Sequence, residues 1–593
     1  MLLIYKNKKL ETVMIVLNIL AAVMVTGTFV LLFGFYEPLL PAKLIYTAHI
    51  GLLIFFILEK IIRFFNMESK PDFWRANWHE AVLIFSLAIV LAGAGRWFGD
   101  SSLRRIAIDG YLIWQLINKF SRTSIHLAAA GKSPAFSLIG SFVVFIFIGS
   151  GLLMLPRAAA EGKATVSFID ALFTSTSAVC VTGLVVNDTG ADYSLFGQTV
   201  ILSLIQLGGL GIVVFGAIFA LFLGQSFNIR ESAAIQDLLS ERTVGKIGTM
   251  ITFIFAGTLI FEGIGAVAMF GMWDDIPGNI TSVHQKWFCT VFHSVSAFCN
   301  AGFGLFSDNL IRYDIFWPVN GVIAPLIIFG GLGFGVLYDL FYLLSDRIKR
   351  LFKKALSRHH RFSMEPPKRM QLQTKVVLSV TAFLIIAGML LLYLFEKTVA
   401  VNGSHANFDI GKAFFQSVTA RTAGFNTVDI SAMSSSSKFI LIVLMLIGGS
   451  PGGTAGGLKT VTLAIVITSA IATLRKRREV EMFRRSIRLA VVGRAVTVTL
   501  LFIFVLFATA MTLSITEKSN GFSLGDIFFE SASALGTVGL STGITPHLST
   551  LGKLIITCVM FVGRLGPLTL LAALTLNIKP IKYSYPEESL IVG

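Results

Sequence analysis

Apolar residues run along this chain in blocks separated by short polar or basic connectors, the pattern of successive membrane helices. The first blocks fall at 13–34, 43–65 and 80–97, with a weaker one at 106–120 that Asp109 interrupts. From residue 133 onward the blocks come in pairs. Helices are expected at 133–156 and 197–223, at 247–272 and 316–345, at 375–395 and 438–474, and at 489–515 and 550–577. Each is long enough for the ~20 apolar residues that cross a bilayer. The division that follows is an N-terminal membrane region, 1–130, then repeats at 133–225, 247–345, 375–474 and 489–580. A basic linker, 346–374, separates the second and third repeats, and a tail, 581–593, ends the chain. Topological parity allows two or four spans in 1–130, and four is adopted here.

Between the two helices of each pair lies a stretch that an apolar helix absorbs poorly. A skeleton of Phe, Ser or Thr, Ala and Gly recurs at 173–183, 292–302, 415–424 and 529–539. Glycine tolerates positive φ and close backbone approach, so each stretch reads as a short half-helix followed by a re-entrant loop. Half-helices at 169–178 and 527–534 would aim negative C-terminal dipole ends at a cation. Backbone carbonyls from four such loops could replace the hydration shell of an ion. Asp188, Asp308 and Asp429 follow three of the closing glycines and could ring an outer mouth, concentrating cations. Two further features lie at membrane depth. The segment 447–459, IGGSPGGTAGGLK, breaks the second helix of the third repeat, which is tolerated only where it is buried in protein or lines a watery cavity. Arg564 sits about a dozen residues from either end of its apolar run. Such a charge usually faces a cavity; the structural alternative is a buried pair with Glu262 or Glu530.

Composition agrees with an integral membrane protein: 54% hydrophobic and 14% charged residues, with a mean hydropathy of +0.77. Lys6, Lys8 and Lys9 precede a first apolar run too long for a signal peptide, so an uncleaved anchor is expected. The net charge of +16 does not point to nucleic acid, because the basic residues concentrate in 343–376 and 474–488, between apolar runs. That is the positive-inside pattern, which makes the N-terminus and basic linkers cytoplasmic. Asp274, Asp275, Glu396 and Asp526, and sequons at Asn187, Asn279 and Asn402, fall on the other side. The four cysteines lack C-x-x-C spacing and support neither a disulfide framework nor a zinc site.

With these residues in view, the chain resembles the Trk/Ktr/HKT superfamily of potassium transporters, in particular the TrkH and KtrB membrane subunits. TSTSAVCVTGL, SVSAFCNAGFGL, SVTARTAGFN and SASALGTVGLSTG look like its four pore loops. GGSPGGTAGGLKT and GRLGPLT look like its intramembrane gate loop and the arginine opposite. The resemblance covers about 133–580. It implies an all-α polytopic membrane protein with four pseudo-fourfold repeats around one pore, preceded here by extra N-terminal helices. It also implies a filter for K+ built from Cys180, Val181, Thr182 and Gly183; Asn300, Ala301 and Gly302; Thr422, Ala423 and Gly424; and Thr537, Val538 and Gly539. Gly452, Gly453, Thr454, Ala455, Gly456, Gly457 and Arg564 would form the gate. A homodimer in the plasma membrane, in contact with lipid, and a cytosolic nucleotide-binding ring of TrkA or KtrA type complete the implied system, with no cofactor in this chain beyond the transported K+. One departure concerns the third loop: counted from Phe415 it is one residue shorter than the others, counted from Phe414 it is not, and Arg421 stands near its filter either way. No loop carries the full TVGYG of potassium channels, so fewer carbonyl rings are expected and Na+ permeation is an alternative.

Other chemistries fit less well. Gly448, Ser450 and Gly452 match G-x-S-x-G, but Pro451 and the glycines after it cannot start the helix a nucleophile elbow needs. An intramembrane serine hydrolase at Ser450 is therefore a remote alternative, and the chain is not read as an enzyme. Leu458 separates Gly457 from Lys459 where a phosphate loop requires adjacency, and position 83 is Leu where H-E-x-x-H requires His. A symporter coupled to H+ or Na+ is the stronger rival. Broken-helix carriers of inverted-repeat design use midplane carboxylates, whereas these repeats run in one sense and their loops are nearly carboxylate-free.

Overall fold

The computed structural model describes residues 6–97, 101–130, 134–211, 247–273, 282–356, 368–399, 408–567 and Pro586. Asp274, Asp275, Asn279, Asn402, part of the basic linker and nearly all of the tail lie outside the described residues.

Helices α1 (Lys8–Phe33), α2 (Ala42–Asn66), α3 (Lys70–Trp97) and α4 (Ser101–Ala130) form an N-terminal bundle. Asn7 starts α1 by accepting hydrogen bonds from the Lys9 and Leu10 amides. The buried face of α2 carries Ile45, His49, Leu52, Leu53, Phe56 and Glu59 at helical spacing. Asp109, which interrupts the apolar pattern of α4, pairs with buried His49 at 2.7 Å.

The remaining described helices fall into four groups of like design. The first has α5 (Pro134–Leu153), α6 (Phe168–Val179) and α7 (Leu195–Leu210); the second has α8 (Ile247–Met269), α9 (Val283–Phe298), α10 (Ala324–Leu332) and α11 (Phe334–Leu356). The third has α12 (Leu372–Val399), α13 (Ile410–Thr419), α14 (Ser435–Leu446) and α15 (Thr460–Leu474), and the fourth α16 (Leu489–Thr516), α17 (Leu524–Gly536) and α18 (Thr550–Leu565). Among the described residues five helices are long and apolar enough to cross a membrane, six if the bent pair α10–α11 is one span.

The short helices α6, α9, α13 and α17 begin at Ser167, Ser282, Asp409 and Ser523, whose side chains accept from a backbone amide three residues on. Three of them are pinned to the preceding long helix by a serine hydroxyl donating to a helix carbonyl. Ser175 bonds to Ile146 at 2.8 Å, Ser294 to Glu262 at 2.6 Å and Ser417 to Ile385 at 2.8 Å. At each contact the long helix carries a glycine, Gly149, Gly265 or Gly388, where a Cβ would strike that same hydroxyl. Ion pairs then stitch neighbouring groups: Asp170 to Lys553 at 2.7 Å and Asp314 to Lys412 at 2.7 Å.

The second helices differ from expectation. Continuous helices at 197–223, 316–345 and 550–577 are corrected by breaks at Gly211, Gly333 and Gly566, with φ of +81°, +88° and +83°. At Gly333 the chain bends by 102°. Apolar periodicity does not register a positive φ, which is why the breaks were not foreseen. A glycine three positions ahead of each break allows close packing: a Cβ on Gly208, Gly330 or Gly563 would collide with the carbonyl of Val179, Phe298 or Leu535 at the end of a short helix. A second departure is a small hairpin, β1 (Val480–Met482) with β2 (Arg485–Ile487), inside the basic stretch 474–488.

Candidate permeation site

The C-terminal ends of α6, α9, α13 and α17 lead directly into four loops with one backbone plan. In each, a positive-φ residue stands two positions before a positive-φ glycine: Val181 and Gly183, Asn300 and Gly302, Thr422 and Gly424, Thr537 and Gly539. Val181, Thr422 and Thr537 are β-branched residues at φ of 56°, 73° and 51°, a conformation that costs of order 1–3 kcal/mol and persists only where the surroundings impose it. The imposing contacts run backwards into the short helices. Thr182 N donates to Ser177 O at 2.8 Å, Ala301 N to Ser296 O at 2.7 Å and Val538 N to Ser533 O at 2.9 Å. Gly183 N and Gly539 N donate to the hydroxyls of the same Ser177 and Ser533, at 3.0 and 3.1 Å.

The four loops close on one another in chain order. A Cβ on Gly183 would strike Ala301 O, on Gly302 Ala423 O, on Gly424 Val538 O and on Gly539 Thr182 O, each closer than 3.0 Å. Each glycine thus lies against the carbonyl before the next glycine, and the fourth loop returns to the first. The hydroxyls of Thr182, Thr422 and Thr537 are buried and have no partner among the described residues. Cys180, Val181, Asn300, Ala301, Ala423 and Val538 are buried with them.

The third loop is the shorter one. Phe415 is fully buried, as are Phe173, Phe292 and Phe529, whereas Phe414 is only partly so. Counting from Phe415 places Thr419 in register with Ser177, and Ala423 N then reaches Thr419 O four residues back rather than five. Arg421 is buried behind this loop, with Nη2 3.4 Å from Thr381 Oγ1 on α12.

The glycine-rich segment between α14 and α15 lies against the ends of α9 and α17 and touches the second and fourth groups. Thr454 Oγ1 donates to Phe298 O at 3.3 Å, Ser450 N to Gly331 O at 2.9 Å, and Gly452 O accepts from Phe334 N at 3.1 Å. A Cβ on Gly456 would strike the Thr537 side chain of the fourth loop, and one on Gly453 would approach Gly330 O at 3.2 Å. Ala455 is buried, and Gly457 turns with φ of +65° against Gly448. Arg564 completes the contacts, with Nη1 donating to Thr454 O and Nη2 to Gly208 O of the first group at 2.5 Å. The alternative pairing of Arg564 with a carboxylate is corrected: Glu262 meets Gln206 at 3.2 Å and Glu530 accepts from Thr545 Oγ1. Ser450 is buried, its hydroxyl donating to Leu332 O, which disfavours a nucleophilic role.

Sequence reasoning missed Lys459, whose Nζ donates to Ala455 O at 2.7 Å and holds the segment to itself. It also missed that Arg564 stands in register with Gly209 and Gly331. The recurring GGLG, GGLG and GRLG at 208–211, 330–333 and 563–566 carried that signal. Asp188, Asp308 and Asp429 all have local partners: Asp188 accepts from the Gly190 and Ala191 amides at 2.8 Å, Asp308 meets Arg312 at 2.6 Å, and Asp429 accepts from Ser431 N at 2.9 Å.

A family model described as "TrkH: Cation transport protein" matches residues 108–579. The chain is 36% identical over 467 residues to Ktr system potassium uptake protein B of Bacillus subtilis, covering 78% of this chain and 96% of that protein. It is also 36% identical over 468 residues to the potassium/sodium uptake protein NtpJ of Enterococcus hirae, covering 78% and 97%. The crystal structure of the potassium transporter TrkH from Vibrio parahaemolyticus shares the fold, with a TM-score of 0.55 at 17% identity over 85% of this chain and 98% of the other.

Proposed function

The chain belongs to the TrkH family of cation transport proteins, and from that premise we propose that it is the membrane subunit of a potassium uptake system, conducting K+ through the ring of its four loops. The observation that carries this reading is the closed order of contacts from Gly183 to Gly302, Gly424, Gly539 and back, which brings four backbone segments to one axis. Carbonyls at such a ring, at the negative ends of four short helices, can replace the water around a dehydrated cation. The unpartnered hydroxyls of Thr182, Thr422 and Thr537, one or two residues before their glycines, supply further oxygen atoms beside it.

The segment Gly452 to Gly457, with Arg564, then acts as the gate. It touches Thr537 and Phe298 at the filter's edge, and the arginine ties it across the path to Gly208. A cytosolic nucleotide-binding partner would set this gate, in keeping with relatives that are named as parts of a Ktr system, and two copies of the chain would associate in the plasma membrane. Na+ permeation is a second reading, favoured by the shortened third loop and by the potassium/sodium name of one relative.

The test substitutes Gly539 and Gly183 by Ser in a host lacking its own potassium uptake. At φ of +94° and +93°, with a carbonyl already in the Cβ position, either change distorts the ring. K+ affinity is expected to fall and Na+ competition to rise. Unchanged affinity and unchanged Na+ exclusion in well-expressed variants would remove the filter from these loops.

A further inference from the structure

Nothing in the cation path uses the N-terminal bundle, and most of it precedes the stretch matched by the family model. Its interior nevertheless holds ionisable side chains at two levels. At the first, His49 Nδ1 of α2 meets Asp109 of α4 at 2.7 Å. The second lies ten residues further along α2, ~15 Å at 1.5 Å per residue. There Arg63 bonds Glu59 at 3.0 Å and Glu11 of α1 at 2.8 Å, and Lys60 reaches Glu80 of α3 at 2.7 Å. Ionisable groups at membrane depth are expensive, and chains of them mark proton relays.

Between the two levels lies an apolar layer that includes Val25, Leu53, Phe56, Leu87 and Leu112. Among the described residues α4 carries fully buried polar groups through it. Tyr111, Gln115 and Asn118 share one helical face and are 4%, 0% and 3% exposed. Tyr111 Oη and the Gln115 amide find no partner beyond one another. Asn118 donates to Glu80 at 2.8 Å while its own carbonyl oxygen has no partner, and neither has His49 Nε2. Buried polar groups are nearly always satisfied, by ordered water where protein does not serve. A cavity of about 650 Å³, lined by Lys43, Tyr46, Arg104 and Arg105 among others, leads from the surface to His49.

We propose that the N-terminal bundle is a proton pathway separate from the cation path. A proton taken up at His49 Nε2 releases the one on Nδ1 to Asp109. Transfer continues through water held between Tyr111, Gln115 and Asn118 to Glu80, and leaves by way of Glu59 and Glu11; the two amides only hydrogen-bond that water and do not take up the proton. Each imidazole, hydroxyl, water or carboxyl on the route gains one proton as it gives one up, and nothing is oxidised or reduced. Protons suit this route better than alkali cations. Its middle offers side chains that both donate and accept, the apolar layer leaves no oxygen cage, and Lys60 and Arg63 would repel a metal ion at the far level.

The test places the full chain in liposomes, with valinomycin and a K+ gradient setting an interior-negative potential, and follows proton entry with a trapped pH dye. The native chain should acidify the vesicles several-fold faster than protein-free vesicles. Gln115→Leu should return the rate to the protein-free level, and Tyr111→Phe should lower it, while K+ flux measured in the same preparation without valinomycin stays at the native value. Should Gln115→Leu lose K+ flux as well, the near-isosteric Tyr111→Phe decides. Native vesicles that acidify no faster than protein-free ones, or folded variants that acidify at the native rate, would overturn the proposal. The second outcome would assign any proton leak to the cation path instead.

Discussion

Arg564→Gln is the substitution whose effect the structure determines most closely. The guanidinium donates to two carbonyls on opposite sides of the proposed path, Thr454 O on the glycine-rich segment and Gly208 O on α7. Hydrogen bonds from a charged donor contribute about 1.5–3 kcal/mol each. Glutamine keeps at most one of the two and carries no charge, so the closed arrangement loses about 1.5–3 kcal/mol. At 1.4 kcal/mol per factor of ten, that corresponds to roughly a ten- to hundredfold larger population with the segment displaced. The lost charge acts in the same direction. A cation ~6 Å from a second one is disfavoured by about 3 kcal/mol at an effective dielectric near 20, and the variant removes that repulsion. K+ flux into proteoliposomes, with and without the nucleotide-binding partner, is the assay. Gln should raise partner-independent flux, and deletion of Gly452 to Gly457 should raise it further with the filter's ion preference intact. Arg564→Lys keeps the charge but only a point donor, so it should fall between Gln and the parent. If the Gln and deletion variants, monodisperse by size exclusion, carry K+ at the parent's rate under the parent's regulation, the segment is structural and the gate lies elsewhere.

Gly333→Ala should raise partner-independent flux as well, because at φ of +88° its Cβ would press on Pro451 O at 2.8 Å and Gly453 N at 3.3 Å; flux and thermal midpoint both equal to the parent's would show that the break does not position the segment. Lys553→Met removes the ion pair with Asp170 that joins the fourth group to the first. It should cost about 1 kcal/mol, read as a small drop in the unfolding midpoint in detergent with ion preference retained. Replacing Asp188, Asp308 and Asp429 together by Asn should raise the apparent KM for K+ at low ionic strength and not at high. An unaltered KM at low ionic strength would leave them as the turn-forming carboxylates their local bonds describe.

The four loops were legible because glycine and serine interrupt long apolar runs, and nothing else in a membrane chain needs that interruption at such regular spacing. Arg564 was legible for a similar reason, as a charge remote from either end of its run. Its partners were not, because two backbone carbonyls far away in sequence leave no mark of their own there. The length of the third loop could not be settled from letters, since Phe414 and Phe415 are chemically identical and only burial distinguishes them. The breaks at Gly211, Gly333 and Gly566 escaped the apolar pattern although the short motif around them recurs. Asp109 weakened the reading of α4 as a membrane helix, and only the facing His49 of α2 accounts for it.

Because the four loops interlock within one polypeptide, a mutation alters one quadrant of the ring and leaves three as they were. A pore assembled from four copies of one subunit must accept every change fourfold at once. Here the quadrants can drift apart. The third has lost a residue and gained Arg421, the equivalent position behind each ring segment is Thr174, His293, Gln416 or Glu530 in turn, and a single arginine serves in place of a glycine in only one of the second helices. Asymmetry of this kind is heritable one step at a time, and it would allow the proposed gate to be attached to one side of the ring without being built into the other three.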